Sequence, residues 1–181
     1  MELLEAVKER RSVRKYKADK IADGLLEKVV AAAAYAPSWK NSQTTRYLVI
    51  ENEALKRKIA ENCVMGFEYN KKTILNAPAL ILVTTIDKRS GFERDGSFST
   101  SKETHWQSFD AGIATATLCL AAHEQGLGTV IMGIYDEEKT IETAGVPEGQ
   151  KVSAMVAVGY PDEQPAMPKR KGVDELLTYV K

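Results

Sequence analysis

The chain has 181 residues, 44% of them hydrophobic and 28% charged, which is typical of one globular domain or of one subunit whose core a partner completes. Its 25 basic and 25 acidic residues cancel to a formal net charge of +0, which argues against a nucleic-acid or membrane-surface protein. No apolar run approaches the roughly 20 residues of a membrane span, and the N-terminus lacks the apolar stretch of a signal peptide. We therefore expect a single domain over residues 1–181, a cytoplasmic location, and neither a nucleic-acid nor a membrane partner.

Two amphipathic helices are predicted in the N-terminal part of the chain. The first covers residues 2–10, in which three apolar side chains recur at helical spacing. The second is expected to begin at Asp23, a residue type that favours the N-cap, and to stop at Pro37, because proline bars continuation of a helix.

The basic run that follows the first helix is the most distinctive stretch of the chain. If this run is extended, Arg10, Ser12 and Arg14 point to one side and Val13 points into the protein. Guanidinium groups and a hydroxyl suit phosphate oxygens, so the run predicts an anion-binding clamp in which Arg11 also takes part. By composition alone, a solvated basic turn or a set of cations that compensates the helix dipole is the more common explanation of such a run.

Two segments in the middle of the chain lack periodicity. Residues 37–43 are polar and amide-rich and are predicted to form a loop. Residues 87–102 are rich in Ser, Gly, Arg and Asp, and we interpret them as a mobile excursion that borders the pocket, as lids and substrate loops do. The regular elements expected here are a strand at 47–50, a helix from the cap Asn52 to residue 61, a helix at 67–75 and a buried strand at 79–85.

A long apolar helix is predicted over residues 104–125. Its apolar side chains form two stripes rather than one, so we expect burial on all sides, in the centre of a core or in a dimer interface. The stripes are Trp106, Phe109, Ile113, Ala116 and Leu120, and Ala111, Ala114, Leu118, Ala121 and Ala122. The elements expected after it are a strand at 129–132, a helix at 136–144, a strand at 152–159 and a helix at 173–180. Irregular alternation of strands and helices predicts an α+β or mixed α/β fold with one central sheet.

The chain has none of the common catalytic or metal motifs. It contains no dinucleotide-binding glycine fingerprint, P-loop, zinc-protease motif or serine-hydrolase motif. Cys63 and Cys119 lack the spacing of metal ligands and are interpreted as buried free thiols, and His105 and His123 as structural residues. We therefore expect no metal site, and the sequence has no obvious catalytic His or carboxylate pair.

Taken in chain order, four stretches resemble the FMN-dependent nitroreductase family. They are Arg10-Arg11-Ser12-Val13-Arg14-Lys15-Tyr16, Ala36-Pro37-Ser38-Trp39-Lys40-Asn41-Ser42-Gln43, the helix from Asp110 that leads to Gly126-Leu127-Gly128, and Gly159-Tyr160-Pro161 with the basic tail at 169–171. The resemblance covers essentially the whole chain. It implies a nitroreductase-like α+β fold with a central mixed or antiparallel sheet, a long buried central helix and termini exchanged within a homodimer.

The resemblance also assigns residues to an FMN site. The expected contacts are Arg10, Arg11, Ser12, Lys169 and Arg170 with the phosphate, Arg14 with N1 and the C2 carbonyl of the ring, Asn70 with its pyrimidine edge, and the backbone of Met132, Gly133 and Ile134 with N5. Pro37, Ser38, Trp39 and Asn41 are expected to reach a flavin held mainly by the other subunit. The alternatives are an ordinary turn glycine at Gly133, a half-buried aromatic at Trp39 and a solvated tail at 169–171.

The implied activity is a ping-pong transfer of hydride through flavin N5, from NADH or NADPH to a nitroaromatic, a quinone or a similar small-molecule acceptor. A flavin reductase, a dehalogenase or a dehydrogenase of a small metabolite is the alternative within this fold. A third interpretation, outside enzymes, is a binding protein whose basic turn docks an acidic partner. Thr44-Thr45 stands where the family commonly has Pro-Trp, and Ile134 where a second glycine is frequent, so the acceptor stays open.

Overall fold

A computed structural model describes residues 2–181 and shows an α+β fold, as predicted. Its elements are α1 (Leu3–Glu9), α2 (Leu25–Ala33), a 3-10 turn (Trp39–Asn41), β1 (Thr45–Ile50), α3 (Glu53–Asn62), α4 (Glu68–Asn76), β2 (Ala79–Ile86), α5 (His105–Glu124), β3 (Gly128–Met132), α6 (Glu137–Ala144), β4 (Gln150–Gly159) and α7 (Val173–Leu176). No helix among the described residues is long and apolar enough to cross a membrane.

Strands β2 and β4 form the centre of a four-stranded antiparallel sheet with the order β1-β2-β4-β3. Both central strands are apolar on both faces, as the sequence predicts for β2, because helices cover the sheet on two sides. On one face Leu80, Leu82 and Met155 pack against residues of α3, α4 and α6. On the other face Ile81 and Val156 pack against residues of α2 and α5.

The predicted starts of α3 and α6 are confirmed, whereas the predicted start of α2 is wrong. The side chains of Asn52 and Asp136 accept hydrogen bonds, at 2.9 and 3.0 Å, from backbone N–H groups three residues later. Asp23 does not cap α2. Instead, α2 begins after Gly24, which has a left-handed backbone (φ 76°) and turns the chain into the helix. No side chain of the described residues caps this helix.

The last helix is shorter than predicted. α7 ends at Leu176 rather than near residue 180, and Leu177 is already extended, with φ −115° and ψ 127°. The side chains of residues 173–180 are all exposed, so no packing within the chain supports a longer helix. Short helices without tertiary contacts are marginal in water.

Within the described single chain, helix α5 is buried on one side only. The stripe that includes Ala114 and Leu118 is buried against the sheet and α2. On the other stripe Phe109 is 59% exposed, Ala116 is exposed and Ile113 is half-buried. The reason is that α5 lies in an outer layer, where the described chain covers only one of its two apolar stripes.

Residues 87–102 form compact turns rather than an excursion without structure. Phe92 and Phe98 meet in a short antiparallel bridge, and their ring centroids are 5.0 Å apart. The indole N–H of Trp106 donates to the hydroxyl of Thr100 at 3.0 Å. Local hydrogen bonds of this kind leave no periodic pattern in the sequence, so the prediction could not include them.

Lys56 is a charged residue that the fold buries. Its side chain is 1% exposed, and Nζ donates to the carbonyl oxygens of Ala77 and Pro78, where α4 leads into β2. The carboxylate of Glu53 lies 2.7 Å from the same ammonium group. A buried charge persists only when it is paired and hydrogen-bonded, so this contact ties α3 to the start of β2.

We expect Lys56→Ala to lower the free energy of unfolding by about 2–4 kcal/mol, because it leaves two carbonyl groups at the α4–β2 junction without their donor. Lys58→Ala, two residues along the same helix and exposed, is the matched control and should change that free energy by less than about 0.5 kcal/mol. Urea denaturation followed by circular dichroism measures both variants. Equal losses would contradict a special role for Lys56.

Candidate functional site

The basic run after α1 lies extended against the sheet, as predicted. The backbone N–H of Val13 donates to the Thr129 carbonyl at 3.0 Å, and the N–H of Lys17 donates to the Tyr160 carbonyl at 2.9 Å. Val13 is only 5% exposed, so its side chain points inward. It packs so closely on β3 that a Cβ on Gly128 would lie 2.8 Å from the Val13 Cβ. The arginines on either side of Val13 are therefore carried by a restrained backbone.

Tyr16 closes the basic run as a second buried anchor. Its hydroxyl lies within hydrogen-bond distance of two carbonyl oxygens, that of Val13 at 2.5 Å and that of Ala157 at 3.2 Å, and donates to them. Its backbone N–H donates to Asn76 Oδ1 at 2.7 Å. Burial, and after it the negative charge of Glu163, raises the pKa of Tyr16 well above its usual value, so the hydroxyl stays protonated and remains a donor.

Most of the predicted phosphate ligands meet at one pocket of about 420 Å³, which we term the arginine pocket. Its lining is Arg10, Arg11, Ser12, Arg14, Pro165, Ala166, Pro168 and Arg170. The two ends of the chain converge here, since Arg170 comes from the arm that follows β4. Lys169 does not belong to the lining.

Within residues 2–181, none of the four arginines of the arginine pocket is paired with an acid. Arg11 Nη1 donates to the carbonyl oxygens of Lys8 at 2.5 Å and Arg10 at 2.8 Å, and Arg14 Nη1 donates to that of Ser12 at 3.1 Å. No carboxylate of the described chain lies within salt-bridge distance of their guanidinium groups. Four arginines without an ion-pair partner around one pocket favour the binding of an anion.

A second pocket of about 340 Å³ shares Arg14 with the arginine pocket, and we term it the Asn70 pocket. Its lining is Arg14, Phe67, Tyr69, Asn70, Thr73, Val130, Ile131 and Met132. The side-chain amide of Asn70 donates through Nδ2 to the Ile134 carbonyl at 3.0 Å. The predicted amide and the predicted backbone turn at 132–134 are thus joined directly.

Gly133 follows the Asn70 pocket without lining it. Its φ is not in the left-handed region, and a Cβ built on it would meet no atom within 4 Å. Neither the backbone conformation nor the packing of the described chain therefore requires glycine at this position. The interpretation of Gly133 as an ordinary turn glycine finds no support in these contacts.

Residues 37–43 form a strained loop that includes the 3-10 turn. Lys40, Asn41 and Gln43 have positive φ values of 45°, 54° and 47°. Each non-glycine residue in this region costs about 1–2 kcal/mol, so the surrounding structure must hold the loop in place. One restraint lies within the loop, where the Gln43 N–H donates to Ser38 Oγ at 2.9 Å.

The buried carboxylate of Asp110 provides the second restraint. Both of its oxygens lie 3.0 Å from the backbone nitrogen of Trp39, which donates to them, and the hydroxyl of Ser90 donates to Oδ2 at 2.6 Å. Helix α5, the loop at 37–43 and the segment at 87–102 therefore meet at one side chain that is 2% exposed. The sequence prediction missed this role, although an acid in the apolar interior of α5 was a visible signal.

Within the described chain, the loop residues predicted to meet the ligand lie apart from the arginine pocket. Pro37 and Ser38 line a third pocket, of about 360 Å³, that shares no residue with the arginine pocket or the Asn70 pocket. Trp39 and Asn41 line none of the three, and the Trp39 ring packs on Trp106 with centroids 4.5 Å apart.

The cysteines and histidines stay outside these pockets. Cys63 and Cys119 are buried free thiols, as predicted, and burial raises the pKa of the Cys119 thiol. In the part of the chain that the structure describes, no three His, Cys, Asp or Glu side chains are placed to hold a metal ion. The chemistry of the site therefore depends on cations, amides and backbone groups.

Comparison with known proteins decides the family. A family model described as the Nitroreductase family matches residues 7–73 and 65–160. The chain belongs to the nitroreductase family. The relationship suggested by the four stretches is thus confirmed, and with it an oxidoreductase class.

Three relatives illustrate the range of the nitroreductase family. A Methanothermobacter thermautotrophicus protein with the provisional name NADH dehydrogenase/NAD(P)H nitroreductase is 31% identical over 172 residues, which cover 91% of this chain and 80% of that protein. The iodotyrosine deiodinase of Thermotoga neapolitana is 27% identical, and the alignment covers 98% of each chain. A solved nitroreductase family protein from Clostridium novyi NT is 30% identical, with a TM-score of 0.78 over 97% of this chain and 91% of its own.

We expect Asp110→Ala to release the loop at 37–43, because it removes the acceptor that Trp39 and Ser90 share. The free energy of unfolding should fall by about 2–3 kcal/mol. The near-ultraviolet circular dichroism of the Trp39–Trp106 ring pair should weaken at the same time. Ser108→Ala, exposed on the same helix, is the control and should change neither signal. If Asp110→Ala also leaves both signals unchanged, other contacts hold the loop.

Proposed function

We propose that this nitroreductase-family protein is an FMN-dependent NAD(P)H oxidoreductase that reduces a nitroaromatic, a quinone or a similar small molecule. The observation that carries the proposal is the arginine pocket, where four guanidinium groups meet without an acid partner in the described chain. Family membership supports the reaction class. The charge and shape of the arginine pocket and the adjoining Asn70 pocket support FMN as the cofactor.

A phosphate monoester suits the arginine pocket by its charge. Forked guanidinium groups from Arg10 and Arg170 and the hydroxyl of Ser12 would bind the oxygens of a dianion. Both chain ends enclose the same pocket, which favours a phosphate at the end of a ligand. This argues for FMN over FAD, because the phosphates of FAD continue into adenosine.

The Asn70 pocket is the proposed position of the flavin ring. Arg14, shared by both pockets, would hold N1 and the C2 carbonyl, where negative charge develops on reduction. Because Asn70 Nδ2 is committed to Ile134, its Oδ1 is left to accept from a ring N–H. The open space beside Gly133 would let the backbone at 132–134 approach N5. When bound, the flavin supplies the hydride chemistry at N5.

The protein's part in this reaction is binding, orientation and electrostatics rather than proton transfer by a side chain. Neither the arginine pocket nor the Asn70 pocket is lined by a His, Cys, Asp or Glu residue. The described linings therefore offer no side chain of these types to act as a general base. This arrangement is consistent with chemistry that takes place on the cofactor.

The proposed assembly is a homodimer. In the described chain, apolar side chains are exposed at both ends, among them Leu3 at 70%, Leu176 at 70% and Val180 at 96%. One apolar stripe of α5 is exposed as well, and Gly112 on that helix has open space where a Cβ would stand. A second copy would cover these surfaces and would bring its loop at 37–43 to the flavin.

The exchange of termini has a candidate location beside β1. This strand is at the edge of the sheet, and a groove of about 690 Å³ runs next to it. The groove has apolar walls that include Leu26 and Val49 and an acidic rim that includes Glu27 and Glu51. The arm of a partner beyond residue 171 exposes Val173, Leu176 and Val180, and these side chains are complementary to the apolar walls of the groove.

Dehalogenation is a second candidate function, favoured by the similarity to an iodotyrosine deiodinase over 98% of each chain. Flavin reduction and dehydrogenation of a small metabolite belong to the same cofactor class. A screen of nitroaromatic, quinone and halophenol acceptors with NADH and NADPH would separate these activities. The acceptor with the highest kcat/KM identifies the function.

We expect the purified protein to carry or take up FMN, and Arg10→Glu to abolish the uptake, because it places an anion beside the phosphate. Lys8→Glu makes the same change of charge on the exposed side of α1 and should keep FMN binding. Quenching of flavin fluorescence measures both dissociation constants. Wild-type affinity in Arg10→Glu would show that the assignment of the clamp is wrong.

We expect Phe109→Glu to convert the dimer into a monomer, because it places a charge on the exposed stripe of α5. Met65→Glu, on the turn between α3 and α4, makes a similar change at a side chain that is 70% exposed and should leave the dimer intact. Sedimentation velocity distinguishes the two states. A wild-type protein that is monomeric and still binds flavin would contradict the homodimer.

A further inference from the structure

The segment that follows β4 is paired with the basic run before it crosses the arginine pocket. Tyr16 and Pro161 form an antiparallel bridge, and the backbone N–H of Asp162 donates to the Lys15 carbonyl at 2.9 Å. The next residue adds a side-chain contact to this pairing. Glu163 Oε1 accepts from the backbone N–H of Arg14 at 2.6 Å and from that of Lys15 at 3.2 Å.

Glu163 is also the last tether of the arm. Within the described residues 2–181, no hydrogen bond or ion pair joins residues 164–171 to the rest of the chain. Yet Pro165, Pro168 and Arg170 line the arginine pocket. The course of the arm over the pocket is therefore set by the pairing that ends at Glu163.

The charge of Glu163 is the opposite of what a phosphate site requires. A carboxylate close to the pocket repels a dianion and opposes the attraction of the arginines. Its contacts, by contrast, suit a tether, because an ionised carboxylate accepts from two backbone N–H groups more strongly than a neutral acceptor does. The geometry thus favours a role in placing the arm over a role in binding the ligand.

We propose that Glu163 is a positioning residue, whose carboxylate binds the Arg14 and Lys15 amides and thereby places Arg170 at the anion site. The proposal rests on the proposed function and deepens it, since the anion is the phosphate of FMN. Arg14 is held by the same contact. The single carboxylate of Glu163 thus positions both Arg14 and Arg170, which come from opposite ends of the chain.

The test compares the affinities of FMN and riboflavin, because riboflavin lacks the phosphate. Glu163→Ala should weaken FMN binding by about tenfold, the size of one lost charge-assisted contact, and should weaken riboflavin binding less, because riboflavin has the ring that Arg14 would hold but lacks the phosphate that Arg170 would hold. Glu163→Gln keeps an oxygen acceptor and loses the repulsive charge, so it should retain FMN affinity within about threefold. Asp162→Ala removes the neighbouring exposed acid without breaking the tether and should behave like wild type.

Limited trypsin digestion without flavin gives a second measurement. Cleavage after Lys169, Arg170 or Lys171 should become faster in Glu163→Ala and should stay at the wild-type rate in Glu163→Gln and Asp162→Ala. Wild-type FMN affinity and wild-type cleavage in Glu163→Ala would overturn the positioning role alone. A wild-type protein that binds riboflavin as tightly as FMN would overturn the proposed function, and this inference with it.

Discussion

The backbone of residues 10–17 is held against the rest of the chain from three directions, and the whole site depends on that restraint. The backbone N–H groups donate hydrogen bonds from Val13 to β3, from Lys17 to the Tyr160 carbonyl after β4, and from Tyr16 to the side chain that ends α4. The three arginines of this run have no acid partner in the described chain and repel one another, so on a free loop they would move apart into water. Burial of the Val13 and Tyr16 side chains contributes the free energy that keeps them together.

The sheet lies between two parts of the chain that are held in place by different contacts. At one end, the arginine and Asn70 pockets lie beside β3 and share Arg14. Elsewhere, the carboxylate of Asp110 holds the strained loop at 37–43, which lies outside both pockets. In the proposed homodimer, the loop of one copy would reach the pockets of the other copy.

Charge is balanced over the chain but not locally. The formal net charge is +0, while no acid of the described chain pairs with the arginines of the arginine pocket. Lys56, the one lysine that is buried in the described chain, shows the opposite arrangement, since an acid and two carbonyl groups surround its ammonium group. The buried lysine is thus neutralised, whereas the arginines that we propose as phosphate ligands have no ion-pair partner in the described chain.

Local signals in the sequence determined the central strands, the Asn52 cap and the extended basic run, because apolar periodicity and capping act between residues that are near in sequence. Only the tertiary structure decided that Arg170 rather than Lys169 lines the arginine pocket, that Asp110 holds the strained loop and that α5 leaves one stripe exposed. These outcomes arise from contacts between distant segments. No pattern within a single helix or loop specifies which partner it will meet, so the fold alone could settle them.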